Sequence, residues 1–187
     1  MNVPIDISNV VLHTKRLVLR PFEQSDLDDF FEYASVDGVG QMAGWKPHEN
    51  KAESQKILDN FIGEKKTFAI VLDGKVIGSL GIEKYNENLY PELADKKARE
   101  IGYVLSKAYW GQGLMPEAVK EVIRYCFEDL GLDLLLCGHF VKNKQSARVQ
   151  EKCGFHFYNT CIFETRIGTK EDCIDNILTK EEWKTQK

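Results

Sequence analysis

The hydrophobic positions of residues 99–130 repeat in two different ways. Residues 101–105 form a short apolar and aromatic run that ends at Ser106, which is typical of a strand covered on at least one face. From Met115 to Leu130, apolar residues recur at steps of three and four, which predicts an amphipathic helix with one stripe on a core. This strand–turn–helix unit is the part of the chain around which we expect the rest to be organised.

The same patterns predict the other elements of the chain. Strands are predicted over residues 16–20, 67–72, 76–84, 134–141, 155–167 and 174–178, and helices over residues 25–34, 51–62 and 143–155. Asp73-Gly74 marks a hairpin turn between two of the strands. The order β-α-α-β-β-β-α-β-α-β-β predicts an α/β (α+β) fold with a mixed sheet and helices on its faces.

Two glycines stand in the turn W-G-Q-G-L-M at residues 110–115. Gly111 and Gly113 allow positive φ and a close approach of a ligand, and the free N–H groups of the following helix suit a phosphate or pyrophosphate. Glycines that only join a strand to a helix would give the same sequence pattern. The turn by itself therefore does not establish a phosphate-binding site. A nucleotide enzyme is disfavoured, because no lysine and hydroxyl residue follow Gly113.

Composition narrows the function classes. The 187 residues, 43% of them hydrophobic, fit one domain over residues 1–187. A net charge of −4 argues against a general nucleic-acid binder, and no run approaches about 18 apolar residues, so no membrane span is expected. The start of the chain does not resemble a signal peptide. The five cysteines form no C-x-x-C pair, which predicts reduced thiols and a cytoplasmic location. The four histidines show no metal-ligand spacing, so no metal is expected.

Three blocks of sequence carry a resemblance to a known family. They are T-x-R-L-x-L-R-P at residues 14–21, E-I-G-Y at 100–103 followed by W-G-Q-G at 110–113, and N-x-x-S at 143–146 followed by K-x-G-F at 152–155. In this order they resemble the GNAT superfamily of acyl-CoA N-acyltransferases, and most of all its bacterial-type ribosomal-protein-alanine N-acetyltransferases. The resemblance implies a single-domain fold with a mixed, largely antiparallel sheet, helices on both faces and a splayed central strand pair.

The resemblance also implies acetyl-CoA as cosubstrate and residues that bind it. Backbone groups of Val104 and Leu105 would pair with the pantetheine arm, as a peptide strand pairs with an open sheet edge. Asn143 would bind the pantetheine or the thioester end, with Ser146 close by. The pyrophosphate would be held by the N–H groups of Gly111, Gln112, Gly113, Leu114 and Met115.

Glu100 resembles the residue that several members use as general base for the attacking amine. A solvated glutamate paired with Arg99 or Lys97 is the alternative interpretation. Many members have a tyrosine, the acid that protonates the departing thiolate, at the position where this chain has Gln150. Because glutamine cannot be that acid, we assign protonation of the thiolate to Ser146 or an ordered water. A cysteine nucleophile at Cys153 is disfavoured, because the end of a helix does not lower a thiol pKa.

Together these inferences predict an enzyme that moves an acetyl group to a primary amine, on a protein N-terminus or a small molecule, by direct attack. The alternative is a catalytically silent acetyl-CoA-binding module or sensor, which Gln150 keeps open. The partner is the amine acceptor alone, without nucleic acid or membrane, and the protein is expected as a monomer or homodimer. The substrate cleft is expected between the first two helices and their connecting loop. Candidates for its lining and its acidic mouth are Met42, Trp45, Tyr85, Tyr90, Tyr109, Asp28, Asp29, Glu32 and Asp37.

Overall fold

The fold is taken from a computed structural model, which describes residues 1–186; Lys187, the last residue of the predicted domain, lies outside them. The strands are β1 (Leu12–His13), β2 (Val18–Pro21), β3 (Thr67–Leu72), β4 (Lys75–Glu83), β5 (Ala98–Leu105), β6 (Leu134–Phe140), β7 (His156–Glu164) and β8 (Lys170–Thr179). The helices are α1 (Leu27–Ala34), α2 (Lys51–Glu64), α3 (Leu114–Glu128), α4 (Lys144–Lys152) and α5 (Lys180–Thr185). Among these helices, none is both long enough and apolar enough to cross a bilayer.

All eight strands form one sheet in the order β1-β2-β3-β4-β5-β6-β8-β7. The strands β5 and β6 are parallel, and every other pair of neighbouring strands is antiparallel. A mixed, largely antiparallel sheet was predicted from the element order and the family resemblance, and the structure confirms it.

The parallel pair β5 and β6 separates partway along its length. The two strands are paired at Ala98–Leu134, Arg99–Leu135 and Glu100–Leu136, and no further. Beyond Glu100, β5 continues beside β4 as far as Leu105, while β6 continues beside β8. The predicted splayed central pair is therefore present, and Glu100 stands where the two strands divide. We call this point the fork.

Helices cover both faces of the sheet, and alternate residues of β3 show this directly. Phe68 and Ile70 belong to the core that α3 covers, whereas Ala69 and Val71 belong to the core beneath α1 and α2. Successive strand residues point to opposite faces, so the two cores lie on the two sides of one sheet. The predicted stripe of α3 is buried as expected at Met115, Ala118, Val119, Val122, Ile123, Cys126 and Phe127. Leu130, its predicted last member, follows the end of the helix and is only partly buried.

Two elements were missing from the prediction. The strand β1 has two residues and precedes the first predicted strand, which was placed at residues 16–20. The helix α5 begins after Thr179, whose side chain accepts from the Glu182 N–H while the Glu182 carboxylate accepts from the Thr179 N–H. That capping box is visible in the sequence as T-x-x-E and could have predicted the helix.

The expectation of five reduced thiols was wrong for two of them. Cys161 on β7 faces Cys173 on β8 in the strand register, and the two form a disulfide with their Cα atoms 5.0 Å apart. The distance of twelve residues along the chain does not reveal such a pairing, which is created by the register of the hairpin. Cys126, Cys137 and Cys153 are free and buried, as predicted.

Candidate active site

The glycine turn before α3 adopts the backbone conformation that its sequence predicts. Gly111 has φ +75° and Gly113 has φ +73°, in the left-handed region that side-chain-bearing residues rarely adopt. Gly113 is the N-cap of α3, so the unpaired N–H groups of the first helical turn follow it directly. The positive end of a 15-residue helix therefore opens beside this turn.

The N-terminal T-x-R block holds this turn from outside. Arg16 donates from Nη1 to the carbonyl oxygen of Gln112 at 3.0 Å and from Nε to the Glu117 carboxylate at 2.7 Å. Thr14 donates to the other oxygen of Glu117 at 2.6 Å. Burial favours a raised pKa for Glu117, but the hydrogen bonds from Thr14 and Arg16 outweigh it and leave that pKa lowered. The motif was recognised in the sequence, whereas its contact with the turn was not predicted.

A cavity of about 810 Å³ lies between the fork, the glycine turn, α4 and the β7–β8 hairpin. It brings together nearly all the residues proposed from the sequence: Glu100, Val104, Leu105, Gly111, Gly113, Leu114, Met115, Asn143 and Ser146. Gln112 does not line it. Its side chain donates to the carbonyl oxygen of Ala108 at 3.3 Å, and its own carbonyl accepts from Arg16.

Glu100 lines the cavity at the fork. Burial raises the pKa of its carboxyl to about 7, and the negative charges of Asp175 and Glu83 act in the same direction. The proposed alternative partner Arg99 donates instead to the carbonyl oxygen of Val3 at 2.8 Å. Within residues 1–186, no ion pair of Glu100 with a cationic side chain is found. Such a carboxyl changes its charge near neutral pH, which suits a general base.

Asp175 on β8 is a neighbour of Glu100 that sequence reasoning missed. Both carboxylates approach Gly138 of β6 so closely that a Cβ there would lie 2.7 Å from Asp175 Oδ1 and 3.6 Å from Glu100 Oε1. Tyr90 donates its hydroxyl to the other oxygen of Asp175. Nothing local in the sequence connects positions 75 residues apart, so this environment comes from the sheet order.

Asn143 caps α4 in addition to lining the cavity. Its Oδ1 accepts from the Ser146 N–H at 3.0 Å, and its Nδ2 faces the carbonyl oxygen of Met42 at 3.4 Å. Gln150 is buried behind Ser146, and its Oε1 lies 3.1 Å from His139 Nδ1.

The walls of the cavity differ from the expected cleft. Met42 and Tyr109 line it together with Tyr90, but Trp45 packs on His48 with ring centroids 5.2 Å apart. Tyr85 is also elsewhere, and its hydroxyl accepts from the N-terminal amine at 2.6 Å. Helices α1 and α2 contribute no lining residue among those described; the connecting loop and the β7–β8 hairpin do so instead.

The acidic residues of α1 are also engaged outside this cavity. Asp28 pairs with Lys51 and Glu32 pairs with Lys75, both on the surface. Asp29 accepts from the N–H of Val76 at 2.9 Å. These three carboxylates therefore contact residues next to α1 and do not form the expected acidic mouth of the cavity.

The thiol of Cys153 does not suit a nucleophile. Burial raises its pKa to about 12, and its Sγ donates to the carbonyl oxygen of Pro116 at 3.6 Å. A thiol with such a pKa is almost wholly protonated at neutral pH.

Comparison with known proteins agrees with this site and fold. A family model described as Acetyltransferase (GNAT) domain matches residues 16–156. The uncharacterized N-acetyltransferase YoaA of Bacillus subtilis (strain 168) is 30% identical over 152 residues, which cover 78% of this chain and 82% of YoaA. The chain therefore belongs to the GNAT family of acetyltransferases, as its sequence blocks predicted.

Solved structures of other acetyltransferases have a similar fold. The ribosomal-protein-S5-alanine acetyltransferase from Vibrio fischeri has a TM-score of 0.71 at 21% identity, covering 94% of this chain and 99% of its own. The Microcin C7 self immunity acetyltransferase MccE, solved in complex with acetyl-CoA and AMP, has a TM-score of 0.73 at 16% identity, covering 88% of this chain and 93% of its own. Ribosomal-protein acetyltransferases are thus among the structural neighbours of this chain.

Proposed function

We propose that this acetyltransferase moves the acetyl group of acetyl-CoA to a primary amine by direct attack, with Glu100 as the general base. The observation that carries the proposal is the position of Glu100: it lines the cavity at the fork, and its pKa is raised to about 7. A carboxylate at this pKa is available as a base near neutral pH and can accept the proton of an attacking amine, directly or through a water.

The open edge of β5 at the fork can bind the pantetheine arm of the coenzyme. Among the described residues, no strand pairs with β5 on the β6 side beyond Glu100, so backbone groups at Val104 and Leu105 can pair with an extended pantetheine arm. The Leu105 carbonyl already accepts from the Trp110 indole at 2.8 Å. We assign the pyrophosphate to the amides of the turn and the first helical turn, at Gly111, Gln112, Gly113, Leu114 and Met115, and the thioester end to the neighbourhood of Asn143 and Ser146.

The chemistry requires few groups. The amine attacks the thioester carbonyl while Glu100 takes its proton, and a backbone N–H of Val104 or Leu105 stabilises the oxyanion. The C–S bond then breaks, and its electron pair moves to sulfur. Ser146 or an ordered water assists that departure, because the Gln150 side chain carries no acidic proton.

The acceptor is proposed as a protein N-terminus or a small-molecule amine. The Vibrio fischeri structure carries the name of a ribosomal-protein-S5-alanine acetyltransferase, which makes an N-terminal alanine peptide the first acceptor to test. We further propose that residues 1–187 act as one domain, as a cytoplasmic monomer or homodimer, without a metal and without nucleic acid as partner.

The test is Glu100→Gln, which removes the base and retains the shape. Turnover should fall roughly 10- to 1,000-fold, toward the lower end of what a general base contributes, while acetyl-CoA affinity stays unchanged. Glu92→Gln, at an exposed glutamate outside the cavity, is the matched control. Unchanged turnover in Glu100→Gln would remove Glu100 from the mechanism. Coenzyme binding without turnover over a broad amine panel would favour the silent module instead.

A further inference from the structure

The hydroxyl group of Ser146, in the first turn of α4, lies within hydrogen-bond distance of two other side chains. Its Oγ is 2.9 Å from the Tyr103 hydroxyl oxygen and 3.2 Å from Gln150 Nε2. Ser146 and Tyr103 both line the cavity, while Gln150 is 1% exposed behind them. The direction of each hydrogen bond can be worked out from the partners.

Gln150 donates to Ser146, because its remaining contacts determine which end of the amide faces which way. Its Nε2 is 3.0 Å from the carbonyl oxygen of Gly138, which can only accept. Its Oε1 accepts from Asn176 Nδ2 at 2.6 Å. The amide nitrogen therefore faces both Gly138 and Ser146, and one N–H is available for each.

Tyr103 has two possible acceptors, the Ser146 Oγ at 2.9 Å and the Ser146 carbonyl oxygen at 3.3 Å. The carbonyl is the normal acceptor for the helical N–H four residues later, so the nearer Oγ is the better partner. Burial raises the pKa of Tyr103 well above its usual range, so its hydroxyl remains protonated and able to donate at any working pH.

A serine hydroxyl has two lone pairs and one proton. We propose that Tyr103 and Gln150 are positioning residues that fill both lone pairs of Ser146 and so direct its proton into the cavity, toward the sulfur of the coenzyme. The inference rests on the proposed function only for the location of that sulfur. It gives Gln150 a role at the position where the family resemblance leads one to expect a tyrosine acid.

The reaction balances without a proton leaving Tyr103. The amine forms the C–N bond and gives its proton to Glu100, and the C–S bond breaks with its electron pair moving to sulfur. Ser146 donates a hydrogen bond to the thiolate and keeps its own proton. The thiolate takes up a proton from water, and Glu100 returns its proton to water.

The test uses coenzyme A itself, whose thiol can be titrated by the ultraviolet absorbance of the thiolate in the bound state. Four proteins are compared with wild type: Tyr103→Phe, Ser146→Ala, their double variant, and Tyr125→Phe. Tyr125 lies outside the cavity, edge-on to Phe68, and is the matched control for loss of a tyrosine hydroxyl. The same proteins are assayed for kcat and KM, and their thermal unfolding midpoints show whether each variant is folded.

A hydrogen bond to the thiolate lowers the thiol pKa, so removing it raises that pKa. We expect Tyr103→Phe to raise the pKa of the bound thiol by roughly half a unit and to lower kcat roughly 3- to 10-fold, the value of one hydrogen bond, at unchanged KM for acetyl-CoA. Ser146→Ala should have the larger effect on both. The double variant should match Ser146→Ala alone, because Tyr103 acts through Ser146.

A wild-type thiol pKa in Tyr103→Phe would overturn the inference, and so would an equal effect of Tyr103→Phe with and without Ser146. If the titration behaves as expected but no amine is acetylated, the arrangement at Ser146 stands and the proposed function fails. If wild-type protein does not bind coenzyme A, both are overturned.

Discussion

The two ends of the cavity are built in different ways. At the glycine turn the functional groups are backbone amides, presented by two residues in the left-handed region and by the start of α3. At the fork they are side chains, with Glu100 on β5, Asp175 on β8 and Tyr90 from the segment between β4 and β5. A backbone site depends on residues adjacent in sequence, whereas the side-chain site depends on which strands become neighbours. The two ends should therefore respond to different perturbations.

The largest effect should come from pH and act at the fork. Glu100 must lose its proton before it can act as a base, so activity rises with pH through its raised pKa. With that pKa at about 7, the ratio of wild-type to Glu100→Gln kcat/KM should fall roughly 50-fold between pH 7 and pH 5, because protonation of the acceptor amine affects both proteins alike; a glutamate of ordinary pKa would change this ratio far less. The measurement is kcat/KM across this range with a fixed acceptor.

Two controls sharpen that measurement. In Glu100→Gln only the pH dependence that comes from the acceptor amine should remain, at a low rate. Acetyl-CoA affinity, measured over the same pH range in wild type, should stay nearly constant, because the turn binds through amides that do not titrate. An acid limb equally steep in wild type and in Glu100→Gln would show that Glu100 does not contribute to it.

An intermediate effect is expected from Gly113→Ala at the turn. A side-chain-bearing residue in the left-handed region costs about 1–2 kcal/mol, so stability should fall, and displacement of the turn should weaken acetyl-CoA binding roughly tenfold. Calorimetry with acetyl-CoA and thermal unfolding measure the two effects. The pKa of the acid limb should not move, because the fork is untouched.

Gly131→Ala is the matched control for that variant. Gly131 has φ +66° and open space around its missing side chain, and it does not line the cavity. A Cβ at Gly113 would likewise meet no clash, because its nearest neighbour, Arg16 Nη2, would lie at an ordinary contact distance of 3.7 Å. The two variants should lose similar stability, while only Gly113→Ala should lose affinity. Equal affinity in both would mean that the turn does not bind the coenzyme.

The smallest effect should follow from Arg16→Met, which removes the support of the turn by the N-terminal block. The side chain of Arg16 is 41% exposed, so its ion pair with Glu117 contributes little stability, on the order of 1 kcal/mol or less. Loss of its bond to the Gln112 carbonyl should weaken acetyl-CoA binding roughly 2- to 5-fold, as expected for one hydrogen bond. Lys15→Met, at the exposed neighbouring residue, should leave the affinity unchanged in the same titration.

Much of the fold was predictable because its signals are local. The strand predicted over residues 67–72 has those bounds in the structure, and the helix predicted from Met115 begins one residue earlier, at Leu114. The turn was predictable for the same reason, since positive φ at a glycine is a property of one residue. Even α5, which was not predicted, carries a readable signal in Thr179 and Glu182.

The candidate site was predictable only in part. Glu100, Asn143 and Ser146 were named from motifs, and the structure brings them to one cavity. Gln112 was named with them for its backbone N–H, which stays a prediction; its carbonyl accepts from Arg16, and its side chain donates to the Ala108 carbonyl. The Cys161–Cys173 disulfide comes from the register of a hairpin, which residue types alone do not specify.

The sequence by itself determined the alternation of strands and helices, the left-handed turn and the family, because each follows from residues close together or from motifs in a given order. Only the tertiary structure decided that β5 and β6 part immediately after Glu100, that Asp175 adjoins it, and that Tyr103 and Gln150 meet at Ser146. The physical reason is that desolvation and charge at a side chain depend on all neighbours in space, and the packing of the sheet selects those neighbours from distant parts of the chain.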